Sequence, residues 1–292
     1  MFLWLKGIVS FCFIALHTII LCIPLYCFAI IRCFAPQKYY LILSKWIDAS
    51  PITWITCNLW LAKHWLHVTW HIELPRHLSL EKWYIVTSNH QSWVDPFAIH
   101  AALHQKIPFL KFFAKKEVML IPFVNFACYA SNFPILKRYP KKMLDKNPAL
   151  RKKDIETTLK ICEKLTLYPS GILNFSEGTR CTPEKHKAQK SPFKYLLQPK
   201  TGGVAYALLG LQSKNITSIL DVTVLYPQRN ITFWQFLCGN IKNIKVIVKE
   251  YPIPDHLQTW RYSESEAYRE SFKEWLQTIW AEKDALLISH YG

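Results

Sequence analysis

Acidic side chains are in short supply in this chain of 292 residues, with 20 Asp and Glu against 36 Lys and Arg. The net charge of +16 points to an anionic partner, either nucleic acid or a lipid headgroup surface. Nucleic acid is set aside by what else is missing: there is no recognition-helix pattern, no zinc-finger spacing and no aromatic strand of the RNA-binding kind. The nine cysteines include no CxxC pair and are scattered, which excludes a disulfide framework. They read as reduced thiols serving as small hydrophobes in a cytosol-facing protein, and no metal or redox role is assigned to them. Internal repeats, low-complexity tracts and long linkers are also lacking, so the chain divides into one sizeable domain and an anchor.

Charge is missing again from Gly7 to Ile31, His17 apart. About 25 residues at 1.5 Å each are long enough to cross hydrocarbon. Arg32, Lys38 and Lys45 follow this run and only Lys6 precedes it, a bias that favours a cytoplasmic C-terminal part. Pro24 allows a hairpin in place of one straight span. From Tyr39 to Trp70 the pattern is amphipathic and rich in tryptophan, one of the side chains that settle at headgroup level, and it predicts a helix along the interface. His64, His67 and His71 fall at helical spacing, but no carboxylate or cysteine is interleaved, so they read as interfacial histidines and not as a metal site. Val118 to Leu136 is uncharged as well. Pro122, Asn125, Asn132 and Pro134 make it a poor lipid-facing helix, and a buried or shallow membrane-contacting segment is expected.

What is present is a pair of strand ends. Tyr84 to Thr87 has strand composition and stops at Ser88, Asn89 and His90; Asp95 and Pro96 follow, where a helix begins. On one regular helix His90 and Asp95 would point about 140° apart, so the pair meets only across a turn. There the carboxylate orients the imidazole and leaves its other nitrogen basic. Taken alone, the two are as readily a surface histidine and a helix-capping aspartate. The second strand, Ile172 to Ser176, releases Glu177, Gly178, Thr179 and Arg180 in the same manner, at the end where open α/β sheets place ligands. Between them Lys137 and Arg138 close an apolar segment. Lys200 stands just before Gly202 and Gly203, which open a helix to about Leu211. Ile219 to Leu225 and Ile241 to Val248 read as further strands, and 263–287 as a charged amphipathic helix. The fold class is α/β: a mixed, largely parallel sheet flanked by helices, preceded by an N-terminal membrane-embedded helix or helical hairpin.

Asn89-His90-Gln91-Ser92-Trp93-Val94-Asp95 and Phe175-Ser176-Glu177-Gly178-Thr179-Arg180, in that order, resemble the first and third blocks of the glycerolipid acyltransferase family, the lysophosphatidic acid acyltransferase-like enzymes. Leu136-Lys137-Arg138 matches the basic end of the second block, without the glycine often found upstream. Asp221-Val222-Thr223 with Tyr226-Pro227 is similar to the fourth. The continuation Cys181 to His186 looks most like the branch that holds bacterial inner-membrane enzymes and the eukaryotic lysophospholipid and lysocardiolipin acyltransferases. The resemblance implies an anchor over 1–70 and an acyltransferase domain over 71–292, in a bacterial inner membrane with the catalytic domain in the cytoplasm. It implies acyl transfer from acyl-CoA or acyl carrier protein to a lysophospholipid hydroxyl, with 1-acylglycerol-3-phosphate as acceptor. No cofactor, metal or nucleic acid takes part, and membrane lipids are the partners. His90 would be the general base and Asp95 its orienter. Glu177, Gly178, Thr179, Arg180, Arg138, Lys137 and Lys200 would bind substrate, with backbone N–H groups around Gly178 facing the oxyanion. Two other readings use the same pocket: a non-catalytic basic membrane-surface protein that binds anionic lipids, and a lipid hydrolase.

Overall fold

The computed structural model describes residues 2–115, 124–136, 156, 159, 160, 162–259, 262 and 265–292. The first helix, α1 (Phe2–Phe34), runs through Pro24 and is, among the described residues, the one helix long and apolar enough to cross a membrane. Only 17% of its most apolar window is buried, which is not how the core helix of a soluble domain looks. After a short connection α2 (Tyr40–Trp60) packs against it, and the two form a helical hairpin. Trp54 Nε1 donates to Thr18 Oγ1 at 2.7 Å, and Trp65 Nε1 to Ser10 Oγ at 3.0 Å, so two of the tryptophans expected at the interface face the partner helix. Trp46 and Trp60 remain exposed. Gly7 is required here because a Cβ would come within 2.8 Å of Cys238 Sγ.

The stretch 39–70 is therefore not one helix. It widens into a π-turn at Leu61–Trp65, His67 takes a positive φ of 57°, and Thr69 opens strand β1 (Thr69–Glu73), which lies across the boundary expected at residue 70. His64, His67 and His71 consequently share no helix face.

The remaining strands are β2 (Tyr84–Ser88), β3 (Leu110–Phe112), β4 (Ala114–Lys115), β5 (Ile135–Leu136), β6 (Gly171–Phe175), β7 (Ser218–Leu225) and β8 (Asn243–Pro252). Six of them form one sheet in the order β1-β8-β7-β2-β6-β3, parallel at every pairing except β7 with β8. The helices α3 (Asp95–Leu103), α4 (Val124–Ala130), α5 (Pro183–Gln189), α6 (Gly202–Gly210), α7 (Phe233–Leu237) and α8 (Glu266–Tyr291) follow in chain order. One core cluster gathers α3, the π-turn and α7 against Val86, Leu173, Val222 and Val246; the other gathers α6 and α8 against Ile85, Ile172 and Ile219. Alternate residues of β2 thus enter opposite layers, the period-2 signature of a strand buried on both faces.

Within 118–136, residues 124–136 are described. They form a seven-residue helix and a two-residue strand, β5, parallel to β4, so no single transmembrane helix occupies that stretch. The hairpin is fixed to the sheet by a buried pair, Lys111 Nζ to Asp48 Oδ2 at 2.7 Å, with the Tyr168 hydroxyl donating to the same oxygen at 2.9 Å. Arg32 adds bonds to Ser44 Oγ and the Ala130 carbonyl.

Candidate active site

Strands β2 and β6 are parallel neighbours with Ser88 opposite Phe175, so their C-terminal ends release Asn89-His90 and Ser176-Glu177 side by side. Asn89 is clamped to β7 by two bonds with the backbone of Val224. That clamp sets where the chain leaves the sheet.

His90 Nδ1 lies 2.8 Å from Asp95 Oδ2, and the same oxygen accepts the N–H groups of Gln91 at 2.6 Å and Ser92 at 2.9 Å. Asp95 is fully buried at the first turn of α3, where the helix N-terminus favours a negative charge. The turn geometry expected from the spacing is what brings the pair together. With Nδ1 directed at the carboxylate as donor, Nε2 keeps the lone pair of the neutral ring. Phe175 stacks on the imidazole at 4.2 Å between centroids and fixes its plane. The second oxygen of Asp95 accepts the hydroxyl of Tyr226 at 2.6 Å. Burial and the Asp95 charge hold that phenol well above its ordinary pKa, so it stays a donor. Tyr226 is held by α8 in turn: Tyr291 accepts its N–H and His290 Nε2 contacts its carbonyl. In the sequence Tyr226 was legible only through the tyrosine-proline step that resembles the family's fourth block, and nothing there joined it to Asp95.

Glu177, expected among the substrate-binding residues, does not face outward. Its side chain faces inward, Oε1 accepting the His90 N–H at 2.8 Å and Oε2 the Leu197 N–H at 3.0 Å, and it is fully buried. It therefore ties the two strand ends to the loop before α6. Burial pushes its carboxyl up to about 8, against the opposing pull of those two donors and of Lys283. Gly178 has φ of 73°, which favours glycine, and its N–H is bonded to the Phe175 carbonyl at 2.8 Å. That N–H is not available to an oxyanion, which leaves its neighbours among the backbone N–H groups around Gly178. The backbone N–H groups of Thr179 and Arg180 have no hydrogen bond among the described residues. Arg180 is exposed, its guanidinium 5.1 Å from the centre of the Trp93 ring, and Lys185 Nζ bonds Thr179 Oγ1 at 2.7 Å. Lys200 is exposed and its N–H donates to the Ser176 carbonyl, so its backbone adjoins the β6 end. Lys137 and Arg138 lie outside the described residues. Among the described residues no group of three or more His, Cys, Asp or Glu is placed to hold a metal ion.

A basic nitrogen oriented by a buried carboxylate, beside an exposed guanidinium at the end of the next strand, is equipped to deprotonate a hydroxyl on a molecule that also carries an anion. The Acyltransferase family model matches residues 68–226, more than half of the chain, and the chain belongs to that family. The matched region runs from the start of β1 to Tyr226 and so contains both strand ends. Among curated proteins, the 2-acyl-1-lysophosphatidylinositol acyltransferase of Saccharomyces cerevisiae is 33% identical over 133 residues, 44% of this chain and 33% of the yeast protein. The match thus spans about a third of that relative's length. Among solved structures, the 1-acyl-sn-glycerophosphate (LPA) acyltransferase PlsC of Thermotoga maritima aligns with a TM-score of 0.51 at 15% identity, over 95% of this chain and 97% of the other. It shares the fold.

Proposed function

We propose that this chain is a membrane-bound O-acyltransferase that moves a fatty acyl group from acyl-CoA or acyl carrier protein onto the free hydroxyl of a lysophospholipid, with 1-acylglycerol-3-phosphate as acceptor and phosphatidic acid as product. The observation that carries this reading is the His90–Asp95 bond at the end of β2 beside Arg180 at the end of β6. The acceptor hydroxyl gives its proton to His90 Nε2 as its oxygen attacks the thioester carbon, and Asp95 stabilises the imidazolium that forms. Collapse of the tetrahedral intermediate expels the thiolate, which takes the proton from His90. The acceptor is itself the nucleophile, so no acyl-enzyme is needed. The N–H groups of Thr179 and Arg180 are our oxyanion donors. The Arg180 guanidinium, held over Trp93, faces the acceptor phosphate, with Lys200, Lys137 and Arg138 as further anion contacts. The apolar space that begins at Trp93 and Phe97 takes the acyl chain. Helix α1 sits in the membrane, with the catalytic domain on the cytoplasmic side.

The yeast relative's acceptor is a lysophosphatidylinositol by its name, and that lipid offers the same phosphate. The test gives purified full-length protein in mixed micelles a labelled acyl thioester, as CoA and as carrier-protein ester, with either lysolipid. Phosphatidic acid is expected. Phosphatidylinositol alone would move the acceptor assignment, free fatty acid would favour the hydrolase reading, and no product would favour a lipid-binding protein. Retained turnover in purified His90→Ala protein would sink the mechanism.

A further inference from the structure

Two apolar cavities border α3, the helix that begins at Asp95, and the imidazole of one of its residues lines both. The first, about 300 Å³, is bounded by Trp93, Pro96 and Phe97 and by Ile14, Trp54 and Asn58 of the hairpin. The second, about 220 Å³, lies between α1, α2 and α4, with Leu25, Cys128, Ser131 and Phe133 in its wall. His100 of α3 belongs to both. It is 9% exposed, and its ring makes no hydrogen bond among the described residues. Burial pushes the imidazole down to about 3, so the ring is neutral and carries one donor and one acceptor. Two more polar atoms in these walls, Asn58 Oδ1 and Ser131 Oγ, are buried without a partner. Buried polar groups are normally paired, and these two orphaned atoms, with an imidazole that makes no hydrogen bond among the described residues, point to a ligand in the hydrocarbon-lined space that supplies the missing partner.

We propose that His100 is a polar station inside the acyl-chain cavity and gives this protein a preference for a fatty acyl chain bearing a mid-chain hydroxyl over the unsubstituted chain. The inference rests on the acyl-transfer reading above. His100 stands five residues beyond Asp95, about 7.5 Å further along α3. A chain whose thioester lies at His90 therefore reaches His100 with carbons well beyond the carboxyl end. A hydroxyl there pairs with the imidazole, and Ser131 offers a second contact. A purely apolar pocket discriminates weakly for or against an added hydroxyl, whereas a site that hydrogen-bonds the hydroxyl discriminates strongly.

The test is a one-pot competition. Full-length protein in micelles receives lysophosphatidic acid with equal amounts of stearoyl and mid-chain hydroxystearoyl thioesters, offered as CoA and as carrier-protein esters, and mass spectrometry reads the product ratio. The wild type should favour the hydroxylated product. His100→Leu should lower the hydroxylated-to-plain ratio by about tenfold or more, and His100→Gln, which keeps a donor and an acceptor, should retain most of it. A ratio changes only if selectivity changes, so loss of total activity does not mimic the result. A wild type that prefers the plain chain, or a ratio unmoved by His100→Leu, overturns the proposal while leaving acyl transfer intact. Transfer of neither chain by the wild type would instead overturn the acyl-transfer reading, and this inference with it.

Discussion

The Tyr226 hydroxyl donates to Asp95 Oδ1 at 2.6 Å, while the other oxygen of the same carboxylate holds His90. Both oxygens of Asp95 thus accept hydrogen bonds, and the donor to Oδ1 comes from a residue whose backbone is gripped by the C-terminal helix. Removing the hydroxyl with Tyr226→Phe leaves the volume nearly unchanged. A hydrogen bond to a charged group is worth about 1.5–3 kcal/mol, and part of that loss reaches the barrier, so kcat should fall roughly tenfold with both KM values little changed. The loss is one of positioning: without its Tyr226 donor the carboxylate no longer holds the imidazole in a fixed line, so the fall is expected in kcat and not in substrate binding. A Tyr226→Phe enzyme with an unchanged kcat would reduce the residue to packing.

Arg180 is exposed and stacks on Trp93, a placement suited to a contact made equally in the ground and transition states. Arg180→Ala should raise the acceptor KM roughly tenfold with a smaller change in kcat, and leave the donor KM as it was. Initial rates with each substrate varied in turn decide the matter. An effect confined to the acyl donor would assign the guanidinium to the other substrate.

The raised carboxyl of Glu177 has a consequence for stability. Its value is about 8 in the fold against 4.5 as a free side chain, so the folded state holds a proton that the unfolded chain releases. Stability from this group is fully present below about pH 4.5 and is lost as pH climbs through about 8, by up to an amount on the order of 4 kcal/mol. Glu177→Gln should remove that slope. It also sets an amide NH2 against one of the two backbone N–H donors, so its melting temperature should be lower near pH 5 and nearer the wild type at pH 8. Parallel wild-type and variant curves across that range would refute the assignment.

Much of the site could be read from the chain because it is local. His90 and Asp95 are five residues apart, and the turn between them is set by a strand ending and a proline-marked helix beginning. That Glu177 to Arg180 lie beside them follows from two strands of the same kind in one parallel sheet. The features that escaped depend on long-range pairing. Asp48 and Lys111 are separated by 63 residues and Asp95 and Tyr226 by 131, and neither partner has a local signal announcing the other. Strand β1 was read as the tail of an aromatic helix because Trp70 continues the tryptophan pattern; only its pairing with β8 turns that segment into sheet. Glu177 looked like a crevice residue because it follows a strand end, but the N–H donors that turn it inward come from His90 and Leu197, distant in sequence.

The Asp48–Lys111 pair offers a test of how the hairpin is held. Lys111 is fully buried on β3 and its amine is pushed below the ordinary lysine range by burial, with Asp48 opposing the shift. Tyr168 bonds both partners, so the three side chains form one closed cluster between α2 and the sheet. Asp48→Leu strands a buried ammonium and should cost about 3–5 kcal/mol, a fall in melting temperature of roughly 10 °C in detergent. Lys111→Met strands the carboxylate and should cost a similar amount. The double variant places two apolar side chains of similar volume against one another and should recover most of the loss, because a buried ion pair is stabilising mainly relative to a broken one. The same pair borders the wall residues Ser50, Pro51, Phe109 and Leu110 of the inner apolar cavity, so the single variants should also slow acyl transfer at temperatures where they remain folded. Single variants as stable as the wild type would show that the hairpin is held by its apolar contacts alone.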